Sequence, residues 1–93
     1  MLEGKIETAV CEYAKKQGFL VYKFTSPNRA AVPDRLFVRP DGSVFFIEFK
    51  ATGKKPTPAQ EREHLRLRGH NAEVYVVDTI EEGKYLIDTS PMR

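Results

Sequence analysis

Apolar residues recur at spacings of three and four from Leu2 through Ile6, Val10 and Tyr13 to Ala14, the stripe of an amphipathic helix. Gly18 predicts its end, and Lys15 and Lys16 fall in the last turn, where the helix dipole favours cations. The period then changes. Residues 19–24 (FLVYKF) are aromatic and β-branched and predict a strand in the sheet interior or half buried. Residues 25–32 (TSPNRAAV) have no period and predict a loop. Two further runs, 35–39 and 43–50, predict strands folded back on each other through Pro40-Asp41-Gly42. Proline presets φ there, and glycine accepts the left-handed conformation that closes a three-residue hairpin.

Downstream, Thr57-Pro58-Ala59-Gln60 is a helix start: Thr57 caps, Pro58 suits the first helical position, and Gln60 can return a hydrogen bond to the cap. The helix predicted over 57–68 has Leu65 as its main apolar position and closes at Gly69. Residues 72–78 (AEVYVVD) are almost continuously apolar and predict a strand buried on both faces. A right-handed crossover through the helix would set it parallel to 43–50. Residues 79–83 predict a turn or short helix, 84–88 read as either an edge strand or more helix, and 89–93 read as a frayed end. The expected order is α-β-β-β-α-β with a small C-terminal addition: an α/β fold, one mixed sheet flanked by helices, in a single domain over 1–93.

The hairpin brings chemistry with it. With Arg39 and Ser43 flanking the turn as a pair, Asp34 lies directly across from Glu48, and both point to one face. Like charges placed there repel, so something must offset them. Lys50 shares their face, while Phe45, Ile47 and Phe49 point to the other. Two carboxylates and an amine converging beside an apolar strand suit a hard divalent cation such as Mg²⁺, which takes oxygen ligands. Read separately, Asp34 is a plain turn residue and Glu48 with Lys50 a surface ion pair.

Composition narrows the field only a little. Ninety-three residues with 41% hydrophobic and 30% charged content fit one modest core. No apolar run reaches membrane-spanning length, and the N-terminus shows no signal-peptide pattern, so an intracellular protein is expected. The single cysteine, Cys11, excludes an internal disulfide framework and reads as a small buried residue on the first helix. Net charge is only +2, but residues 50–68 hold six basic side chains against two acidic ones. Lys54, Lys55, Arg62 and Arg66 could track a nucleic-acid backbone or form a solvated helix face. His64 and His70 have no second ligand at zinc spacing and read as surface residues.

Pro33-Asp34 followed by Glu48-Phe49-Lys50 resembles the PD-(D/E)xK nuclease signature, and within it the chain resembles a VRR-NUC domain of the stand-alone viral or bacterial type. The resemblance covers the element order together with Glu7, Pro33-Asp34, Glu48-x-Lys50, Gln60 and Gly69. It departs where a glycine usually precedes the Pro-Asp pair, here Ala31-Val32, and where Arg35 takes a commonly apolar position.

The fold implied is restriction-endonuclease-like, and the activity implied is metal-dependent cleavage of DNA. Asp34, Glu48 and the Phe49 backbone carbonyl would hold Mg²⁺ or Mn²⁺, with Glu7 on the first helix completing the shell directly or through water and Glu3 as its alternative. Lys50 would position a water and Gln60 would join the site. Asn28 and Arg29, with Lys54, Lys55, Arg62 and Arg66, would contact DNA. The type also implies a homodimer acting on four-way junctions, in the cytoplasm of a bacterial host and possibly encoded by a phage. Flap or nicking cleavage, a non-catalytic nucleic-acid-binding module and a dimerising interaction domain are the competing expectations.

Overall fold

A computed structural model describes residues 1–89. The order is α1 (Glu3–Lys16), β1 (Leu20–Lys23), β2 (Arg35–Val38), β3 (Val44–Phe49), α2 (Pro58–Arg68), β4 (Val74–Val77) and α3 (Ile80–Thr89). The strands form one sheet in the order β1-β2-β3-β4, antiparallel except for the parallel β3–β4 pair. This is the mixed α/β arrangement that the sequence predicts.

The hairpin closes as expected. Gly42 takes φ +90°, Gly42 N–H donates to the Arg39 carbonyl at 2.8 Å, and Arg39 N–H donates to the Ser43 carbonyl at 2.8 Å. Val38 then pairs with Val44 and Arg35 with Ile47, so the next step of the register sets Asp34 against Glu48. Asp41 secures the turn by accepting from Ser43 N–H at 3.0 Å.

Alternation along β3 divides the molecule into two layers. Phe45, Ile47 and Phe49 join Phe37 and Val77 in a buried cluster beneath Ile6, Val10, Cys11 and Ala14 of α1 and Ile87 of α3. Cys11 is buried, as read from the sequence. α2 lies on the opposite face and meets Glu48 there.

Several expectations are corrected. Leu2 does not belong to the α1 stripe: it precedes the helix and is exposed. β1 is an edge strand, with Leu20 and Tyr22 exposed. β4 is the other edge, so only Val74 and Val77 are buried, and Tyr75 and Val76 are half-buried. Residues 84–88 are helical because Ile80, Gly83 and Ile87 repeat at helical spacing and pack inward. The Thr79 hydroxyl helps start α3 by accepting from Glu82 N–H at 3.1 Å. Leu65 is 66% exposed, and the buried side of α2 is polar. α2 does reach Gly69, but Gly69 stays right-handed and the left-handed residue that turns the chain is Asn71, at φ +65°. The frayed end expected over 89–93 lies outside the described residues beyond Thr89, which closes α3.

One buried pair was not foreseen. The Arg39 guanidinium is wholly buried beside the hairpin, donates to both Glu73 carboxylate oxygens at 3.1 and 2.8 Å, and stands over the Phe45 ring. The core-facing position of a strand end thus carries a charge, satisfied by a bidentate partner.

Candidate active site

Strand order and register deliver the two acids. Asp34 begins the turn into β2 and Glu48 is the penultimate residue of β3. Asp34 Oδ2 accepts the Phe49 backbone N–H at 2.8 Å, which fixes its carboxylate against the end of β3. Glu48 is only 1% exposed. Burial, the charge of Asp34 and a hydrogen bond shared with it push the Glu48 carboxyl up to about 8, with Glu3 adding to the rise and Lys50 opposing it. Lys50 Nζ stands 3.8 Å from Glu48 Oε2. The three side chains therefore converge as the register predicts, and Glu48 is a buried acid rather than half of a surface pair.

Capping chemistry sets the phase of α2. The Thr57 hydroxyl accepts from Gln60 N–H at 3.2 Å, and Thr57 N–H donates to Gln60 Oε1 at 2.9 Å. The other end of the same amide is free to turn inward, and Gln60 Nε2 donates to Glu48 Oε2 at 3.2 Å. Capping and site contact do not compete, because the two functions use different atoms of one side chain.

One turn later the same face carries Glu63 and His64, both buried. The sequence reading of His64 as a surface residue is thus overturned: it is 2% exposed, with Nε2 3.6 Å from Glu48 Oε1. Burial, with Arg68 and Lys50 nearby, lowers the pKa of His64 and favours the neutral ring. Glu63 accepts from Arg29 Nη1 at 3.2 Å and lies 3.6 Å from Arg66 Nε. That ion pair fastens the 25–32 loop to α2. His70 is exposed, as expected, and its ring contacts the Arg66 carbonyl.

A cleft of about 410 Å³ opens at this end of the sheet, lined by Glu3, Glu7, Ser26, Arg29 and Asp34 among others. Glu7 faces the cleft but is held by Arg35, whose Nε donates to Glu7 Oε2 at 2.6 Å. Glu3 is the first-helix acid whose charge bears on Glu48. Lys54 and Lys55 line a separate hollow of about 400 Å³ beside His64 and Arg68. Arg62 and Asn28 are exposed and line neither cavity.

Among the described residues no set of three His, Cys, Asp or Glu side chains converges as a metal-ligating group. The donor set of Asp34 and Glu48 nevertheless suits a hard cation, which is typically held by one or two carboxylates, with water and substrate phosphate supplying the rest. Among the described residues Glu48 Oε1 is buried without a hydrogen-bond partner, which leaves a lone pair for a ligand.

Sequence reasoning missed Glu63 and His64. The signal was present in the cap: Thr57 and Gln60 set the phase of α2, and Gln60, Glu63, His64 and Leu67 then fall on one face. Leu65, the main apolar position of the helix, lies about one residue out of that phase and is exposed.

Fold and site together define a restriction-endonuclease-like domain whose PD-(D/E)xK pattern places Asp34 just before β2 and Glu48 near the end of the adjacent β3. No protein-family model matches the sequence. The chain is 47% identical over 77 residues, 83% of each protein, to "Putative nuclease p44" of Acyrthosiphon pisum secondary endosymbiont phage 1. A solved VRR_NUC domain matches with a TM-score of 0.87 and 34% identity, over 96% of this chain and 97% of the other. A second, a VRR_NUC domain protein with a TM-score of 0.77 and 20% identity, shares the fold over 95% of this chain and 86% of its own. The chain belongs to the VRR-NUC family.

Proposed function

We propose that the protein is a metal-dependent endonuclease that hydrolyses phosphodiester bonds of branched DNA, with residues 1–93 acting as one nuclease domain. The observation that carries this reading is the Asp34–Glu48 pair: the hairpin register sets the two acids against each other, Glu48 is buried, and Lys50 stands 3.8 Å from it. A bound cation relieves that repulsion and gives the arrangement a use. The likeness to a phage protein named as a nuclease supports the same activity and a bacterial host.

Asp34, Glu48 and the Phe49 carbonyl would hold Mg²⁺ or Mn²⁺, with Glu3 or Glu7 bearing on it from α1. Such an ion would supply Lewis-acid chemistry there, activating water and offsetting charge on the scissile phosphate. Lys50 then orients the attacking water and stabilises charge that develops on the phosphate. Gln60 fixes Glu48 Oε2 by donating its amide N–H. Arg29, at the cleft beside Asp34, meets the DNA backbone together with Asn28, and Lys54, Lys55, Arg62 and Arg66 extend that contact along α2 and its leading loop.

We place the substrate among four-way junctions and the active species as a homodimer. One chain offers one pair of acids, so cutting two strands symmetrically takes two copies, and two-fold assembly is the commonest oligomer. Leu20, Tyr22 and Val44, exposed on the Glu48-bearing face of the sheet, support self-association.

The test is incubation of wild type and Asp34→Asn with labelled four-way junction, flap and linear duplex in Mg²⁺, Mn²⁺ or EDTA. Metal-requiring cleavage of the junction, lost in the variant, is expected. Binding without cleavage in either metal would instead mark a non-catalytic nucleic-acid module.

A further inference from the structure

Among the described residues, two buried side-chain polar atoms have no hydrogen-bond partner: Glu48 Oε1 and His64 Nε2. They face each other at 3.6 Å. That is a few tenths of an ångström beyond the usual N–H···O range, a gap that a small side-chain rotation closes. An aliphatic residue would fill the same place on α2 without burying a polar atom, so the imidazole is not explained by packing.

Gln60 and His64 are four residues apart and share the inward face of α2. Gln60 Nε2 holds Glu48 Oε2 at 3.2 Å, and His64 Nε2 stands against Oε1 of the same carboxylate. The helix is thus set as a two-pronged holder, one prong for each oxygen. The capping box fixes the first prong, and helical geometry places the second.

We propose that His64 is a positioning residue: its Nε2–H donates to Glu48 Oε1 when that carboxylate binds a divalent cation, fixing the carboxylate plane toward Asp34. This rests on the nuclease reading above. The role belongs to a shell of hydrogen bonds that orients metal-binding groups, where a lost contact typically costs 10- to 100-fold in metal affinity or activity.

Three measurements on the full chain test it. Calorimetric titration with Mn²⁺ should show His64→Leu binding about 10-fold more weakly than wild type, while thermal unfolding in EDTA shows the variant at least as stable. His64→Gln, which restores an N–H donor, should recover most of the affinity and of the junction cleavage. In wild type, ¹H–¹⁵N spectra of the imidazole should show a protected Nε2–H appearing on addition of diamagnetic Mg²⁺. A folded His64→Leu with unchanged Mn²⁺ affinity overturns the proposal and leaves the nuclease reading standing. A wild type that binds no metal and cuts nothing removes both. The spectroscopic arm uses unmodified protein, so an Nδ1–H ring in the presence of Mg²⁺ overturns the proposal even where the leucine variant does not fold.

Discussion

Replacing Glu48 with glutamine should make the metal-free protein more stable while destroying its activity, and the pH dependence of that gain follows from the structure. The Glu48 carboxyl lies at about 8 in the folded chain against 4.5 ordinarily, because of burial and the neighbouring Asp34. Between those values the folded state holds a proton that the unfolded state has released. Stability contributed by this group is therefore complete below about 4.5 and is lost as pH rises toward 8. Each unit across that interval removes about 1.36 kcal/mol, so about 3 kcal/mol disappears between pH 5.5 and pH 8.

Glutamine keeps the shape and an oxygen for Gln60 but does not ionise. The stability of Glu48→Gln relative to wild type should thus rise by about 3 kcal/mol over that range in EDTA, read from urea unfolding at each pH. Titrating groups remote from Glu48 cancel in the difference. Adding Mn²⁺ at a hundredfold excess over its Kd should stabilise wild type by about 2.7 kcal/mol and the variant by almost nothing. A flat difference between pH 5.5 and 8, or one that falls, would refute the claim that the two acids are forced together in a buried place.

Gln60→Glu keeps the oxygen that caps α2 and loses the N–H that reaches Glu48. It also sets a further carboxyl beside Glu48, so its unfolding free energy should fall relative to wild type as pH rises while junction cleavage falls at least tenfold; Gln60→Ala, which loses the cap contact without adding charge, should lose about 1 kcal/mol of unfolding free energy. Gly83→Ala gains helix propensity but drives its Cβ into Val10 Cγ2, where α3 packs on α1. It should destabilise by about 1–3 kcal/mol, part of which a Val10→Ala background should recover in a double-mutant cycle. Glu73→Ala strips both charge-assisted bonds from a wholly buried guanidinium and should cost about 3 kcal/mol or more in chemical denaturation, whereas the double change Arg39→Met with Glu73→Leu should cost far less.

The hairpin was legible because short-range rules decide it. Pro40-Asp41-Gly42 fixes the turn, the turn fixes the register, and the register sets Asp34 opposite Glu48 without reference to the rest of the fold. The capping box was legible for the same reason. β1 and β4 were read as more buried than they are because edge and centre differ only in what lies beyond the strand, which local composition does not encode. α2 was misphased because hydrophobic periodicity assumes that the inward face is apolar. Here the inward residues are Gln60, Glu63 and His64 while Leu65 faces solvent, a reversal of the kind expected where a site overrides folding preference. Residues 84–88 were ambiguous because so short an apolar pattern fits either period; contact of Gly83 with Val10 across the helix pair resolves it. Arg39 was overlooked because a charge at a strand end is ordinarily solvated, and its partner Glu73 lies 34 residues away.

Thr57, Gln60 and Glu48 are joined through a single amide group. Opening the first turn of α2 withdraws a donor from Glu48 at the same moment that the helix start loosens. Winding of the helix start and support of the buried carboxylate are therefore one event, set by the two ends of the Gln60 side-chain amide.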